Sequence, residues 1–260
     1  MNADVREEGA QADSVAGIAS ASAAKSAAME PTPPAEPYSM LDWATVERAR
    51  IADGTEFVLG RYGDDWVIRV GANILMSNRM HSSEESLAEV ALEKVPGAQT
   101  VLVGGLGLGY TTRAVLDRVS ADAKVFVSEL VPELVDWNHR YLGALAGHPL
   151  ADRRCRVIVG DVFDELVRSR SFYDAILLDV DNGPRGLTQA KNQRLYGDGG
   201  VRACLAALKP GGVLAVWSSG PSARYQRKLK HAAEVEVRSV PARAGSKVMH
   251  TVIVGRRPRA

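Results

Sequence analysis

The chain has 260 residues, of which 46% are hydrophobic and 24% are charged, and its formal net charge at pH 7 is +1. So small a net charge gives no field directed at nucleic acid or an anionic membrane, and no apolar run approaches the roughly 20 residues that a membrane-spanning helix needs. The two cysteines, Cys155 and Cys204, lack a CxxC spacing, which excludes a zinc site built on cysteine and favours a reducing, cytoplasmic location.

Residues 1–37 are rich in Ala, Ser, Pro and Glu and hold almost no large apolar side chains. Such a segment cannot bury enough surface to offset the entropy of ordering it, so we expect a disordered tail. Asp4, Glu7 and Glu8 stand where a secretory signal would be apolar, so we expect no such signal.

The composition changes at residues 38–96, where β-rich runs are bounded by Gly, Asp and Asn turns. This pattern predicts a small antiparallel β element. Its runs are 56–62, 66–70 and 74–77. Ser82-Ser83-Glu84-Glu85 then predicts a helix that extends to about residue 94, with a serine cap and an acidic first turn.

Residues 97–257 alternate apolar strands with helical segments of about 10–15 residues, which predicts a doubly wound, mostly parallel α/β sheet. The strand candidates are Thr100–Val103, Lys124–Ser128, Arg156–Val159, Ala175–Leu178 and Val213–Trp217. The final pair, 234–239 and 248–254, is joined by a loop without a helix. That connection predicts a hairpin whose last strand runs antiparallel to the others.

The first of these strands leads into a glycine motif at Gly104, Gly105, Gly107 and Gly109. Glycines at a strand-to-helix turn allow a tight bend and a close approach of the backbone to a ligand. The spacing therefore predicts a nucleotide-type ligand, with a glycine-rich turn that binds nothing as the alternative.

Acidic residues follow the next two strands of the predicted sheet. Glu129 comes 24 residues after Gly105, where an acid accepts hydrogen bonds from the hydroxyls of a ribose. Asp161, followed by Val162, stands after the third strand. The alternatives are an exposed acid for Glu129 and a plain turn for Asp161.

Two more carboxylates, Asp179 and Asp181, stand at the end of the fourth strand. Ligands of open α/β sheets bind at this edge, and a carboxylate there can orient an amine nucleophile and take its proton. Both residues are candidate catalytic groups. An Asx turn is the structural alternative, because Asp-Asn-Gly is also a turn signal.

Taken in order, these motifs make residues 54–255 resemble the spermidine synthase family of class I S-adenosylmethionine-fold transferases, whose G-G-G-D-G-G motif matches residues 104–109. The resemblance implies a sheet of the class I methyltransferase type with a small N-terminal antiparallel β element. It implies that S-adenosylmethionine, or its decarboxylated form, binds at Gly104, Gly105, Gly107, Gly109, Glu129, Asp161 and Val162. Asp161 would meet the adenine, and Asp179 would be the catalytic aspartate.

The sequence departs from the family pattern at three places. Gly107 replaces the aspartate that pairs with the amine of the aminopropyl arm, and Leu87 and Ala88 replace the Tyr and Gln/His of the gate segment. The loop after Asp179 is also shortened. Without the carboxylate at Gly107, the decarboxylated donor loses a charge partner. We therefore predict methyl transfer from S-adenosylmethionine to a small acceptor, with an amine as one candidate.

The alternatives are an aminopropyltransferase, a non-catalytic nucleotide-binding module and an NAD-dependent oxidoreductase. His81 and Glu84 are further candidates to face the acceptor, although a surface position is the more common outcome for such a histidine. The scattered histidines have no metal-ligand spacing, so we expect no metal. We expect neither nucleic acid nor membrane as a partner, and the sequence leaves a homodimer open.

Overall fold

Two β-sheets and the helices packed on them make up the part of the chain that the computed structural model describes, residues 43–51, 54–180, 183–185 and 194–259. The strands are β1 Ala44–Arg50, β2 Glu56–Tyr62, β3 Asp65–Val70, β4 Asn73–Ser77, β5 Thr100–Gly104, β6 Lys124–Glu129, β7 Cys155–Val159, β8 Tyr173–Leu178, β9 Leu208–Ser218, β10 Glu234–Pro241 and β11 Met249–Arg256. The helices are α1 Ser82–Glu93, α2 Tyr110–Leu116, α3 Pro132–Trp137, α4 Val162–Arg168, α5 Asp198–Ala207 and α6 Ala223–Lys230. Within these ranges, no helix is long and apolar enough to cross a membrane.

The small sheet is an antiparallel meander in the order β1-β2-β3-β4, which confirms the predicted N-terminal β element. Its first strand, β1, was not predicted. β1 is an edge strand, and most of its side chains are accessible to solvent. It therefore carries the charged residues Glu47, Arg48 and Arg50 and lacks the apolar run that would predict a strand.

The large sheet has the order β10-β11-β9-β8-β5-β6-β7. Strands β5 to β9 pair in parallel, and β11 runs antiparallel between β9 and β10. The predicted fold class is therefore confirmed, including the terminal hairpin. The chain reverses its direction of travel through the sheet between β5 and β8, and a switch point of this kind opens a ligand crevice at the carboxyl ends of the strands.

Both faces of the large sheet are buried, and alternate residues of each strand enter different cores. In β5, Val101 and Val103 pack on the side of α1 and α2, while Leu102 packs on the side of α4, α5 and α6. All three side chains are fully buried, and each contributes on the order of 1.5–3 kcal/mol of hydrophobic free energy. Cys155 and Cys204 are buried free thiols.

Local details differ from the predictions. The helices α2, α3 and α4 have seven, six and seven residues, fewer than expected. β9 begins at Leu208 rather than Val213. The predicted serine cap of α1 is wrong: His81 holds the cap position without a side-chain hydrogen bond. The hydroxyl of Ser82 instead accepts a hydrogen bond from the backbone of Ala244, 3.1 Å away. The domain boundaries after residues 37 and 96 stay predictions.

Candidate active site

The glycine turn between β5 and α2 brings the backbone close to the end of β8. Gly105 has a φ of +92°, and a Cβ built on it would lie only 2.2 Å from the carbonyl oxygen of Asp179. Its N–H donates to Ser128 O at 2.8 Å. Gly107 has a φ of +53°, and a Cβ there would lie 2.9 Å from Met76 Sδ. Close approach and positive φ thus both require glycine at position 105.

A cleft of about 760 Å³, including space open to solvent, lies at the carboxyl ends of β5, β6 and β8. The small sheet contributes Phe57, Leu75 and Met76 to its wall. The predicted ligand and catalytic residues that line it are Gly105, Gly107, Glu129, Asp161, Val162 and Asp179. Gly104 and Gly109 are not among the described lining residues. None of the described residues that line the cleft is Lys, Arg or His.

Glu129, at the end of β6, is buried and carries no ion pair among the described contacts. Its Oε2 accepts a hydrogen bond from the Leu106 N–H and its Oε1 accepts one from the Val131 N–H, each at 2.9 Å. Burial raises the pKa of Glu129, while hydrogen bonds from the backbone oppose that shift. These bonds hold the carboxyl group at the cleft wall, where it suits the predicted contact with a ribose.

Asp161 caps helix α4, and its Oδ1 accepts a hydrogen bond from the Phe163 N–H at 2.8 Å. Its Oδ2 accepts one from Arg194 Nη2 at 2.6 Å. The Arg194 guanidinium also lies 4.4 Å from the centroid of the Phe163 ring. Asp161 therefore has a cationic partner at the rim of the cleft that the sequence analysis did not predict.

Asp179 follows β8 and is held by the first turn of α2. Its Oδ2 accepts a hydrogen bond from Thr111 Oγ1 at 2.6 Å. Burial raises the pKa of Asp179 to about 6, against the lowering effect of the Thr111 hydroxyl. The carboxyl group is therefore mostly ionised at neutral pH and can accept a proton. The second catalytic candidate, Asp181, lies outside the described residues.

Glu84, in the first turn of α1, brings a second carboxyl group to Asp179. Burial raises its pKa to about 8, and the charge of Asp179 adds to that shift. Ser83 Oγ donates to Glu84 Oε2 at 2.6 Å. His81 is not part of this pair, since its ring stacks on Tyr110 with a centroid separation of 4.1 Å.

The gate positions of α1 have become core positions. Leu87 and Ala88 are fully buried and pack in the core shared by α1, α2 and the large sheet. Their apolar side chains offer no hydrogen bond to an acceptor, and Glu84 is an acid of α1 that interacts electrostatically with Asp179. Within the described ranges, no cluster of three His, Cys, Asp or Glu side chains suits a metal ion.

A family model described as the spermine/spermidine synthase domain matches residues 80–253. That range contains the glycine turn, Glu129, Asp161, Asp179 and Glu84. The chain belongs to this family. The matched range begins after β4, so the small antiparallel sheet lies outside it.

One curated relative and two solved structures show what the chain is similar to. It is 33% identical over 139 residues to a polyamine aminopropyltransferase of Bacillus mycoides, a match that covers 53% of this chain and 47% of the relative. The chain therefore spans about half the length of the curated relatives that it matches. A spermidine synthase of Thermotoga maritima superposes with a TM-score of 0.69 at 18% identity, over 83% of this chain and 74% of the other. A spermidine synthase in complex with the transition state analogue AdoDATO superposes with a TM-score of 0.67 at 17% identity, over 83% of this chain and 73% of the other.

These comparisons contradict the prediction of methyl transfer. The Bacillus relative is named for aminopropyl transfer, and both solved structures are spermidine synthases. The prediction gave too much weight to the missing carboxylate at Gly107. Glu129, Asp161 and Asp179 still line the cleft, so the loss of one acid leaves other carboxyl groups at the site.

Proposed function

We propose that this protein is a polyamine aminopropyltransferase that uses decarboxylated S-adenosylmethionine as the donor and a small amine as the acceptor. The observation that carries the proposal is the charge of the cleft. Glu129, Asp161 and Asp179 line it, and no basic side chain stands among its described lining residues. Asp161 is paired with Arg194 at the rim, so Glu129 and Asp179 are the lining acids without an ion pair among the described contacts. The decarboxylated donor and an amine acceptor are both cationic, so this lining favours both of them.

The proposed donor site uses the glycine turn, Glu129 and Asp161. Gly105 and Gly107 let the backbone approach the nucleoside, Glu129 accepts hydrogen bonds from the ribose, and Asp161 meets the adenine. Unaltered S-adenosylmethionine carries a carboxylate, and the described lining offers no side-chain cation to pair with it. The family membership and the aminopropyltransferase relative support the same donor.

In the proposed reaction, the acceptor nitrogen attacks the aminopropyl carbon that is bonded to sulfur. The carbon–sulfur bond breaks, and its electron pair stays on the sulfur of the leaving thioether. A sulfonium is already activated, so the protein contributes mainly proximity and orientation. Asp179 accepts one proton from the acceptor ammonium and thereby frees the lone pair for attack.

The direct test supplies the protein with decarboxylated S-adenosylmethionine and a series of linear diamines. Mass spectrometry then identifies the products. We expect an aminopropylated amine and 5′-methylthioadenosine. Asp179→Asn is expected to lower kcat/KM by about 10²–10⁴-fold, since it removes the proton acceptor, while the exposed Asp122→Asn control retains activity. Donor binding without turnover of any amine would instead indicate a non-catalytic module.

A further inference from the structure

The acid pair of the proposed reaction is connected to a histidine on the far side of α1. Ser83 Oγ lies 2.6 Å from Glu84 Oε2 and 2.9 Å from His250 Nδ1. Ser83 is fully buried, whereas His250, on β11, is half-buried and packs edge-on against Trp217 with a centroid separation of 4.7 Å. One serine hydroxyl therefore bridges a carboxyl group in the site and an imidazole near the surface.

The Ser83 hydroxyl can pass a proton between Glu84 and His250, in one direction at a time. A hydroxyl donates one hydrogen and accepts at the same oxygen. When Glu84 is protonated it can donate to Ser83 Oγ, and Ser83 can in turn donate to His250 Nδ1. The same three groups form the opposite arrangement when Ser83 donates to an ionised Glu84 and accepts from His250.

Each turnover of the proposed reaction must release one proton. An acceptor ammonium and a sulfonium donor combine to give a secondary ammonium, a neutral thioether and one proton, so charge and atoms balance. Asp179 takes that proton in a partly buried site. Leu87 and Ala88, which occupy the next turn of α1, are apolar and fully buried and cannot carry it onward.

We propose that Ser83 and His250 conduct the proton released at Asp179 and Glu84 to solvent, an inference that rests on the proposed function. In this scheme Glu84, which interacts electrostatically with Asp179, gives its proton to Ser83 and takes up the one from Asp179. Ser83 gives its own proton to His250 Nδ1, and His250 Nε2 releases one to solvent. Ser83 and His250 are positioning residues in this scheme, because neither contacts the reacting atoms.

Several titratable groups surround the acid pair. Burial lowers the pKa of His250 and so favours the neutral imidazole, which readily releases to solvent a proton that it takes up at Nδ1. Asp179 from β8, Glu85 from α1 and Tyr110 from α2 interact with Glu84. The acids among them favour the protonated form of Glu84, and Tyr110 has a pKa of about 12, which keeps it neutral.

The kinetic test uses Ser83→Ala and His250→Ala, each with a matched control. Ser86→Ala removes a serine of the same helix whose hydroxyl donates to Ser82 O at 2.8 Å, and His139→Ala removes an exposed histidine. We expect kcat to fall about tenfold or more in both test variants, with KM for donor and acceptor unchanged and both controls near wild type. Added imidazole should restore kcat of His250→Ala and leave Ser83→Ala unaffected. Wild-type kcat in Ser83→Ala, or a loss in His250→Ala that imidazole does not restore, would overturn the proposal.

A second test needs no substrate and separates failure of the relay from failure of the proposed function. Infrared spectra recorded across a pH titration should show a protonated carboxyl band that disappears near pH 8, where Glu84 loses its proton. The band should be absent in Glu84→Gln and shifted in Ser83→Ala. If no band depends on both residues, the relay is refuted whether or not the protein transfers aminopropyl groups.

Discussion

Individual carboxyl groups give this cleft its proposed donor preference, and at Gly107 this chain lacks an acid that the family pattern has. The position has room for a larger side chain at moderate cost. Its φ of +53° is a conformation that Asp and Asn adopt more readily than other residues. The atom nearest to a new Cβ is Met76 Sδ, near the end of a flexible side chain. Position 107 is therefore a suitable place to test charge by itself.

We predict that Gly107→Asp strengthens binding of the decarboxylated donor relative to unaltered S-adenosylmethionine. The added carboxylate would attract the donor ammonium and repel the carboxylate of the unaltered form, changing the ratio of the two affinities by about tenfold, or about 1.4 kcal/mol. Calorimetric titration measures both affinities. Gly107→Asn has nearly the same shape without the charge and should leave the ratio unchanged. An equal ratio in wild type and Gly107→Asp would contradict our interpretation of this position.

Some site residues were predictable from sequence because each directly follows an apolar strand. Glu129, Asp161 and Asp179 meet that condition, and all three line the cleft. Ser83 and His250 do not, since they are 167 residues apart and only the folded sheet brings α1 against β11. Nothing in the local sequence signals such a pair. The prediction of methyl transfer was wrong for a related reason: it weighed one position, whereas the charge of a cleft is a sum over several elements.

At the scale of elements, the β5–α2 turn holds the end of β5 against the end of β8. A side chain at Gly105 would strain the backbone and also collide with the carbonyl oxygen of Asp179, 2.2 Å from the new Cβ. Relief of the backbone strain, or of the collision, would move Asp179. Stability and catalysis therefore depend on the same short turn.

Gly105→Ala should lower the free energy of unfolding by about 2 kcal/mol or more and reduce activity. Gly97→Ala is the matched control. Gly97 also has a positive φ, +78°, but nothing lies within 4 Å of a Cβ built on it. Gly97→Ala therefore measures the loss of stability that comes from backbone strain alone. Urea denaturation compares the two variants, and equal unfolding midpoints would show that the contact with Asp179 is unimportant.

The predictability of the elements followed the strength of their hydrophobic patterns. β5 and β8 are continuous apolar runs buried on both faces, which is the pattern of central parallel strands. β1 escaped prediction because a charged edge strand shows no such run. β9 continues back through Pro210-Gly211-Gly212, residues that sequence rules assign to a turn. Pairing with neighbouring strands decides these boundaries, and that information is tertiary.

At the scale of the whole molecule, a nearly neutral chain of net charge +1 carries a locally acidic cleft. Global charge therefore says little about the ligand. The acid pair also has a cost for the fold. Burial raises the pKa of Asp179 to about 6 and of Glu84 to about 8, so the folded state binds protons that the unfolded state has lost.

We therefore predict that the free energy of unfolding falls as pH rises from about 5 to about 9. Between the unfolded and folded pKa values of a group whose pKa is raised, the folded state holds more protons, and stability decreases with pH. Glu84→Gln imitates the protonated acid and should flatten this dependence, most clearly between pH 6 and pH 8, above the folded pKa of Asp179 and up to that of Glu84. Urea denaturation of both proteins at a series of pH values measures this pH dependence. Equal slopes for wild type and Glu84→Gln would show that Glu84 is not protonated in the folded protein.

The central claim is that the cleft accepts the decarboxylated donor, and calorimetric titration of the wild-type protein with both forms of S-adenosylmethionine tests it most directly. We predict at least about tenfold tighter binding of the decarboxylated form, because the described lining holds three carboxyl groups and no basic side chain to pair with a carboxylate. Tighter binding of unaltered S-adenosylmethionine would contradict the proposed function.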